Sequence, residues 1–568
     1  MARVRRRRGL LYAGAAIMAA GSTFVGLAGT MTAGASKPVA HAKQSSKAVN
    51  VALDEVIAGF NINTSADNNF DLSQIIENVW PEAFLTTNKL GLVLNSQLLT
   101  SATQTSTKPQ TIVYKINPKA VWSDGVPISA ADFIYNWHAQ SGLKKYTDLG
   151  GKAYDDATTA GYNQISSITG SDGGKTVTVK FSTPFADWKS LFGTIAPAHI
   201  AEKVGWNTGF NSYKNVVSGS WYTIASYKTN QFLVLKANPK YWGTPPKVKT
   251  LTFTWVGTDD SEPTGLQNGE LQVINPASVS ESLVAEANKI PGTVHQVIPG
   301  LEFEHFDFNE ANPYLSHLDV RQAIAYGTNR KQIIADVVGA IAPSTVPLGN
   351  RMLMPNQPGY VNNGAAYDTV NVAKAKSLLA SSGFTMGSDG YFHPSFGPEA
   401  GQDFTLSIET TSGNPIRAET VQLFQAQMQQ IGIKITPVFK DAATYFGTDL
   451  PTGQFDIAEF AWVSTPFLSG NQSIYCSYNL TTECGSNYDH FANASVTALE
   501  QAGSTATHPA AEIADYNKAD ALLWKNMVTL PLYQKPQYFA WTNKLSDVLP
   551  NPSSVGVTWN AFDWVTKA

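Results

Sequence analysis

The stretch TIVYKINPKAVWSDGVPISAADFIYNWHAQ, residues 111–140, carries three structural devices in order. Residues 111–116 alternate between apolar and polar side chains, the period of a strand with one buried face. Ser123-Asp124-Gly125 then supplies the small polar residues of a tight turn. Ser129 opens a helix, with Asp132 at the spacing of a capping box, where each side chain satisfies the other's free amide. Phe133 and Trp137, one helical turn apart, give that helix a single apolar face.

The same reading extends outward. VALDEVIAGFNINTSADNNF (51–70) is a strand running into an Asn-rich loop, and SDGGKTVTVKFSTPF (171–185) is a hairpin turn followed by a strand. SGSWYTIASYKTNQFLVLKANPKYWG (218–243) reads as two antiparallel strands. FEHFDFNEANPYL (303–315) is a strand and turn leading into a single helix, DVRQAIAYGTNRKQIIADVVG (319–339). NVAKAKSLLASSG (371–383) is an amphipathic helix stopped by Gly383. NPIRAETVQLFQAQMQQIGIKI (414–435) is another, with Asn414 as cap, Pro415 in the first turn and Gly432 beyond the end. This mixture indicates α/β or α+β lobes with more helix after residue 303.

A chain of 568 residues exceeds what one core sustains, so two or three lobes are expected. The formal charge of −4 gives no basic footprint for nucleic acid. MARVRRRRG followed by an apolar, Gly/Ala-rich segment has the form of a signal peptide over residues 1–42, so the protein is expected to be exported. No cysteine stands at the end of that segment to form a lipobox, and no later run reaches the roughly 20 apolar residues that span a bilayer. The two cysteines, Cys476 and Cys484, are expected to form a disulfide around one surface loop.

Hydrolase and phosphate-cradle motifs are absent, and His199, His305, His317 and His490 are isolated, so no catalytic residue, cofactor or metal site is expected. FDIAEFAWVSTPF (455–467) poses the sharper question, since Asp456 and Glu459 stand near Trp462. A glycosidase needs two carboxylates facing one scissile bond. The dense apolar pattern reads instead as a buried strand, in which residues three apart point to opposite faces. Either acid is then structural or lines a cleft. Trp122 and Asp124 read as architectural.

Together these segments resemble the family five extracellular solute-binding proteins, the oligopeptide- and dipeptide-binding components of ABC importers. The resemblance spans about residues 52–565. It rests on YKINPKAVWSDGVPISAADFIYNW, SGSWYTIASYKTNQFLVLKANPKYWG, LQNGELQV, FDFNEANPYLSHLDVRQAIAYGTNRKQI, AKAKSLLASSGF, QIGIKI, GQFDIAEFAW and LPLYQKP, in the family's order. It implies a type II periplasmic-binding-protein-like α/β fold with two large lobes around a hinged cleft and a small inserted lobe. Lobe I would comprise residues 43–95, 211–300 and 521–568, the inserted lobe 96–210, and lobe III 301–520.

By the same resemblance, ligand would meet Glu459, Trp462, Ser464, Thr465 and Phe467 from lobe III, and Asn61 and Asn63 from lobe I. Asn68 and Asn69 share the latter loop, and the plainer reading of all four is turn formation. Peptide binders of this family carry an aspartate three residues after the tryptophan to hold the ligand ammonium. Here that position is Thr465, and Glu459 stands where some oligopeptide binders have arginine. The expected partners are a peptide or glycan-like solute and a membrane permease complex, and the expected state is a monomer. An oligosaccharide or glycoconjugate binder, or an envelope accessory or sensor protein, is the alternative; a secreted glycosidase is disfavoured.

The disulfide predicts that alkylation of the unreduced, unfolded protein adds no mass, whereas alkylation after reduction adds two labels. Labelling without reductant would refute the bridge.

Overall fold

The strand expected at 111–116 runs over Gln110–Ile116, and the helix after it over Ala130–Gln140. Ser129 and Asp132 form the expected capping box. Gly125, at φ +99°, closes the turn by donating its amide to the Trp122 carbonyl. The structure, a computed structural model, describes residues 48–257, 261–478 and 485–567. The expected signal peptide and Cys484 lie outside these residues; Cys476 is buried.

Gln110–Ile116 belongs to a four-stranded antiparallel sheet in the order Leu99–Thr107, Gln110–Ile116, Thr176–Phe181, Ile165–Ser171. Tyr114 projects from it against Phe133 and Phe192, with ring centroids 5.6 Å apart in both pairs. Full burial of side chains this large contributes roughly 1.5–3 kcal/mol each. Leu99–Thr107 is an edge strand, so half of its backbone hydrogen-bonding groups have no sheet partner.

A second, ten-stranded sheet unites the rest. Its spatial order is Lys434–Lys440, Thr405–Thr411, Ile457–Val463, Thr293–Phe308, Thr529–Thr542, Val273–Ile274, Ala48–Leu53, Thr250–Trp255, Phe232–Ala237 and Tyr222–Lys228. The two central strands, Thr293–Phe308 and Thr529–Thr542, pair antiparallel along almost their whole length. They therefore belong to both halves of the sheet. Between Pro299 and Phe303 their register shifts, and Pro299 faces Pro536. Neither proline has an N–H to donate, so the ladder is thinnest there. Gln534 compensates by donating its amide to the Gly300 carbonyl.

The helix expected over 414–435 forms as Pro415–Ile431. Asn414 accepts from the Arg417 amide, and Gly432 adopts φ +82° beyond the end. It connects the parallel strands Thr405–Thr411 and Lys434–Lys440. The segment 319–339 corrects the sequence reading, because it forms two helices, Leu318–Gly327 and Arg330–Val337. Asn329 interrupts the run because its side chain accepts from the Gln332 amide and caps a new helix.

Buried arginines fix the later helices. Arg321 donates to the carbonyls of Leu315, Asn526 and Met527, placing a cation at the C-terminal end of helix Pro509–Asn526. Residue 520, taken above as the end of lobe III, falls within this helix. Arg351 pairs with Asp520 at 3.1 Å, both wholly buried, and also donates to the Thr529 side chain and carbonyl. It thereby ties the helix to the first residue of the central strand. Asp520→Ala would leave a buried guanidinium unpaired and is expected to lower stability by about 3–5 kcal/mol. Urea unfolding measures this.

Candidate ligand cleft

Strand Ile457–Val463 sorts its side chains as a period of two requires. Glu459 lies opposite Phe306 on the central strand, on one face, while Phe460 and Trp462 lie opposite His305 and Phe303 on the other. Asp456 precedes the strand and accepts from the Ser407 amide, the Ser407 hydroxyl and Asn312. Asp456 and Glu459 are thus each occupied by protein groups in different places and do not flank one substrate.

Glu459 is wholly buried and does not reach a cleft, which corrects its expected role as a wall residue. Thr410 donates its hydroxyl to Glu459, and Arg417 Nε lies 3.8 Å away. Arg417 also reaches Glu304 at 3.3 Å, and Lys535 sits 2.7 Å from Glu302 and 4.0 Å from Glu304. Arg417 occupies the first turn of its helix, where the helix dipole disfavours a cation, and the two glutamates offset that. Burial, then the neighbouring Glu304, push the Glu459 carboxyl up to about 8, against the pull of Arg417. Glu304 moves the other way: burial would raise it, but Arg417 and Lys535 hold it below its usual value.

Trp462 is half-buried between Phe460, at 5.1 Å, and a stacked Tyr488, at 5.7 Å. It also packs against the buried cluster of Leu301, Phe303, Leu348 and Met354. Beyond it, the Ser464 amide donates to the Leu301 carbonyl, and the Thr465 hydroxyl pairs with the Phe467 backbone. These bonds shape a turn that presents Pro466, Phe467 and Leu468 to a cleft of ≈ 440 Å³.

The cleft has two walls. One is built from Leu90, Leu92, Gln104 and Thr107 with the loop Pro184–Lys189; the other from Leu353, Gln357, Pro466–Leu468 and the start of helix Pro509–Asn526. The walls touch: the Ala186 amide donates to the Ser504 carbonyl at 2.7 Å, and the Ser469 amide to Asp187 Oδ2 at 2.9 Å. Trp188 and Phe467 supply aromatic surface, and Asp187, Lys189, His508 and Glu512 supply charge or titratable groups. The volume falls within the range of small-molecule sites, roughly 300–1,000 Å³.

Of the residues expected at the site, Phe467 lines this cleft. Thr465 is linked to it through Gln357, whose amide donates to the Thr465 carbonyl. Trp462 and Ser464 lie behind that turn. Asn61 and Asn63 lie away from the cleft, because their side chains are spent on the carbonyls of Trp206 and Thr194. Asn69 caps helix Phe70–Ile76. Asp187, Trp188, Gln357 and Glu512 were not foreseen. Their one sequence signal is the dense Asp-Trp-Lys at 187–189, which no periodicity marks.

The ten-stranded sheet with its two crossing strands has the form of a solute-binding protein of the two-lobed periplasmic-binding type. The first wall of this cleft, however, comes mainly from the inserted four-stranded sheet and its loops, whereas the sequence reading placed ligand between lobes I and III. Residues 94–481 match the middle region of the bacterial extracellular solute-binding proteins, family 5, and the chain belongs to that family. It is 28% identical over 504 residues to the oligopeptide-binding protein OppA of Mycobacterium tuberculosis, covering 88% of this chain and 81% of the relative. The probable monoacyl phosphatidylinositol tetramannoside-binding protein LpqW of the same organism is 28% identical over 387 residues, covering 64% and 59%. Among solved structures, the periplasmic EDTA-binding protein EppA superposes with a TM-score of 0.84 at 26% identity, covering 92% of this chain and 96% of that one. These are substrate-binding proteins rather than enzymes. Among the described residues, no helix is long and apolar enough to cross a membrane.

Glu459 gives a pH test. Its folded pKa is raised above the unfolded value near 4.5, so its contribution to stability is complete below that value and is lost as pH rises to about 8. Glu459→Gln keeps an acceptor for Thr410 and removes the titration. The variant should therefore lose less stability than the wild type between pH 5 and pH 8.5 in urea unfolding.

Proposed function

We propose that this protein is the exported substrate-binding component of an ABC importer that captures oligopeptide-like solutes in the cleft and presents them to a membrane permease. The observation that carries the peptide reading is the edge strand Leu99–Thr107, which contributes Gln104 and Thr107 to the cleft wall. Its unpaired amides and carbonyls suit an extended peptide, which can add to such an edge by main-chain hydrogen bonds. Phe467, Trp188 and the prolines of both walls offer apolar surface to side chains. The likeness to OppA supports the same class. In this reading Phe467 touches ligand directly, while Ser464, Thr465 and Trp462 shape the turn that carries it.

A glycoconjugate is the second reading. The likeness to LpqW and the aromatic faces of Trp188 and Phe467 favour it, since sugars stack on such rings.

Mass spectrometry of small molecules released from the untreated, folded protein separates the two. A ladder of peptide masses is expected. A hexose-containing species would replace the peptide reading with the second one.

A further inference from the structure

Among the described residues, buried acids outside any ion pair recur in the fold, Asp71 and Glu77 among them, and two further acids meet at the cleft. Arg321, Arg330, Arg351 and Arg417 each have an acidic partner within 4.0 Å. Asp187 and Glu512 line the cleft, one from each wall, and among the described residues neither has a basic partner within that distance. The two carboxyls are neighbours, since the charge of Asp187 raises that of Glu512. Glu512 is only 7% exposed, and its Oε1 is buried with no hydrogen-bond partner. Asp187 accepts from the Ser469 amide at 2.9 Å, and the Ser469 hydroxyl and the Leu468 amide also favour its charged form, so among the described residues it meets neutral donors but no cation.

Behind them stands Glu500, wholly buried with both carboxyl oxygens unpartnered, beside Tyr516, whose hydroxyl is also unpartnered. Lys189, the cation of this wall, is turned toward the rings of Phe84 and Trp188, with its ammonium 5.8 and 5.7 Å from their centroids. Burial, and then the charge of Asp187, push the Glu512 carboxyl up to about 8, and burial raises Asp187 and Glu500 as well. Two facing carboxyls can satisfy this arrangement by sharing a proton, or by accepting a cation between them. A metal ion is the poorer occupant. Among the described residues the compact three-ligand grouping is Asp389, His393 and Asp403, elsewhere in the fold. An organic ammonium needs fewer, wider-spaced acceptors and offers three N–H donors to them.

We propose that Asp187 and Glu512 form an anionic anchor that holds a ligand ammonium group between the two walls of the cleft. The inference deepens the peptide reading and rests on it for the identity of the ligand. It supplies, from a different place on the walls, the negative charge that Thr465 cannot provide. Because the two acids come from opposite walls, a cation held by both also fastens the walls together, so occupancy and closure are coupled through one charge.

The test uses two pairs of probes that differ only by acetylation of an amine: random pentapeptide amides against their N-acetylated forms, and glucosamine oligomers against N-acetylglucosamine oligomers. Native mass spectrometry of the full protein gives the affinities. Wild type should favour the charged pentapeptides by about tenfold, the size of one charge-assisted hydrogen bond. Asp187→Asn and Glu512→Gln should abolish that preference while the variants still melt cooperatively. If either variant does not fold, the wild-type comparison decides alone. Equal binding of free and acetylated peptides would overturn the anchor and leave the peptide reading intact. Binding of the glucosamine pair alone, with the charged form preferred, would keep the anchor and overturn the peptide reading. Failure of both pairs to bind would overturn both.

Discussion

The pairing of Thr293–Phe308 with Thr529–Thr542 is the constraint on which the rest of the molecule depends. These two strands are the centre of a ten-stranded sheet, and every other strand of that sheet reaches them through a continuous ladder. A chain that must lay two long strands side by side from positions more than 200 residues apart brings its middle and its last segment together, and Val273–Ile274 then joins the first strand of this sheet to the last. The same pairing carries its weakest point at Pro299 and Pro536, where two facing prolines withhold their donors. A rotation of one half of the sheet against the other costs least there, because the fewest hydrogen bonds cross that point.

Charge is handled in two ways. On one side of strand Ile457–Val463, Arg417 and Lys535 neutralise Glu302 and Glu304 in a largely buried network, while burial and Glu304 favour the protonated form of Glu459. Such networks add little net stability over a well-packed apolar core, but removing one member is costly, so they hold one arrangement against alternatives. At the cleft, Asp187 and Glu512 meet without a cation. An unbalanced buried charge is unfavourable in the empty protein and becomes favourable when a ligand supplies its complement.

Local structure was legible wherever a few neighbouring residues decide it. Ser129 and Asp132 marked a helix start, Asn414-Pro415 and Gly432 bracketed another helix, and the alternation over 111–116 marked a strand. The reading failed at Asn329, since an internal asparagine can either continue a helix or cap a new one, and packing makes the choice. Glu459 was read toward the cleft because it precedes Trp462 by three residues; that spacing in a strand sends it to the opposite face, where Arg417 waits 42 residues earlier in the chain. Asn61 and Asn63 were weighed between cleft and turn, and their amides went to distant carbonyls.

By itself the sequence determined the α/β class, the family, the helix caps and the alternation of its strands, because each rests on residue types at short, fixed spacing. Which acids line the cleft was decided only by the tertiary structure. Asp187 and Glu512 are separated by 325 positions, sit on a loop and a helix with no shared motif, and meet only when the two walls of the cleft close on each other. No local pattern encodes that meeting, since it depends on the sum of the packing that brings the walls together.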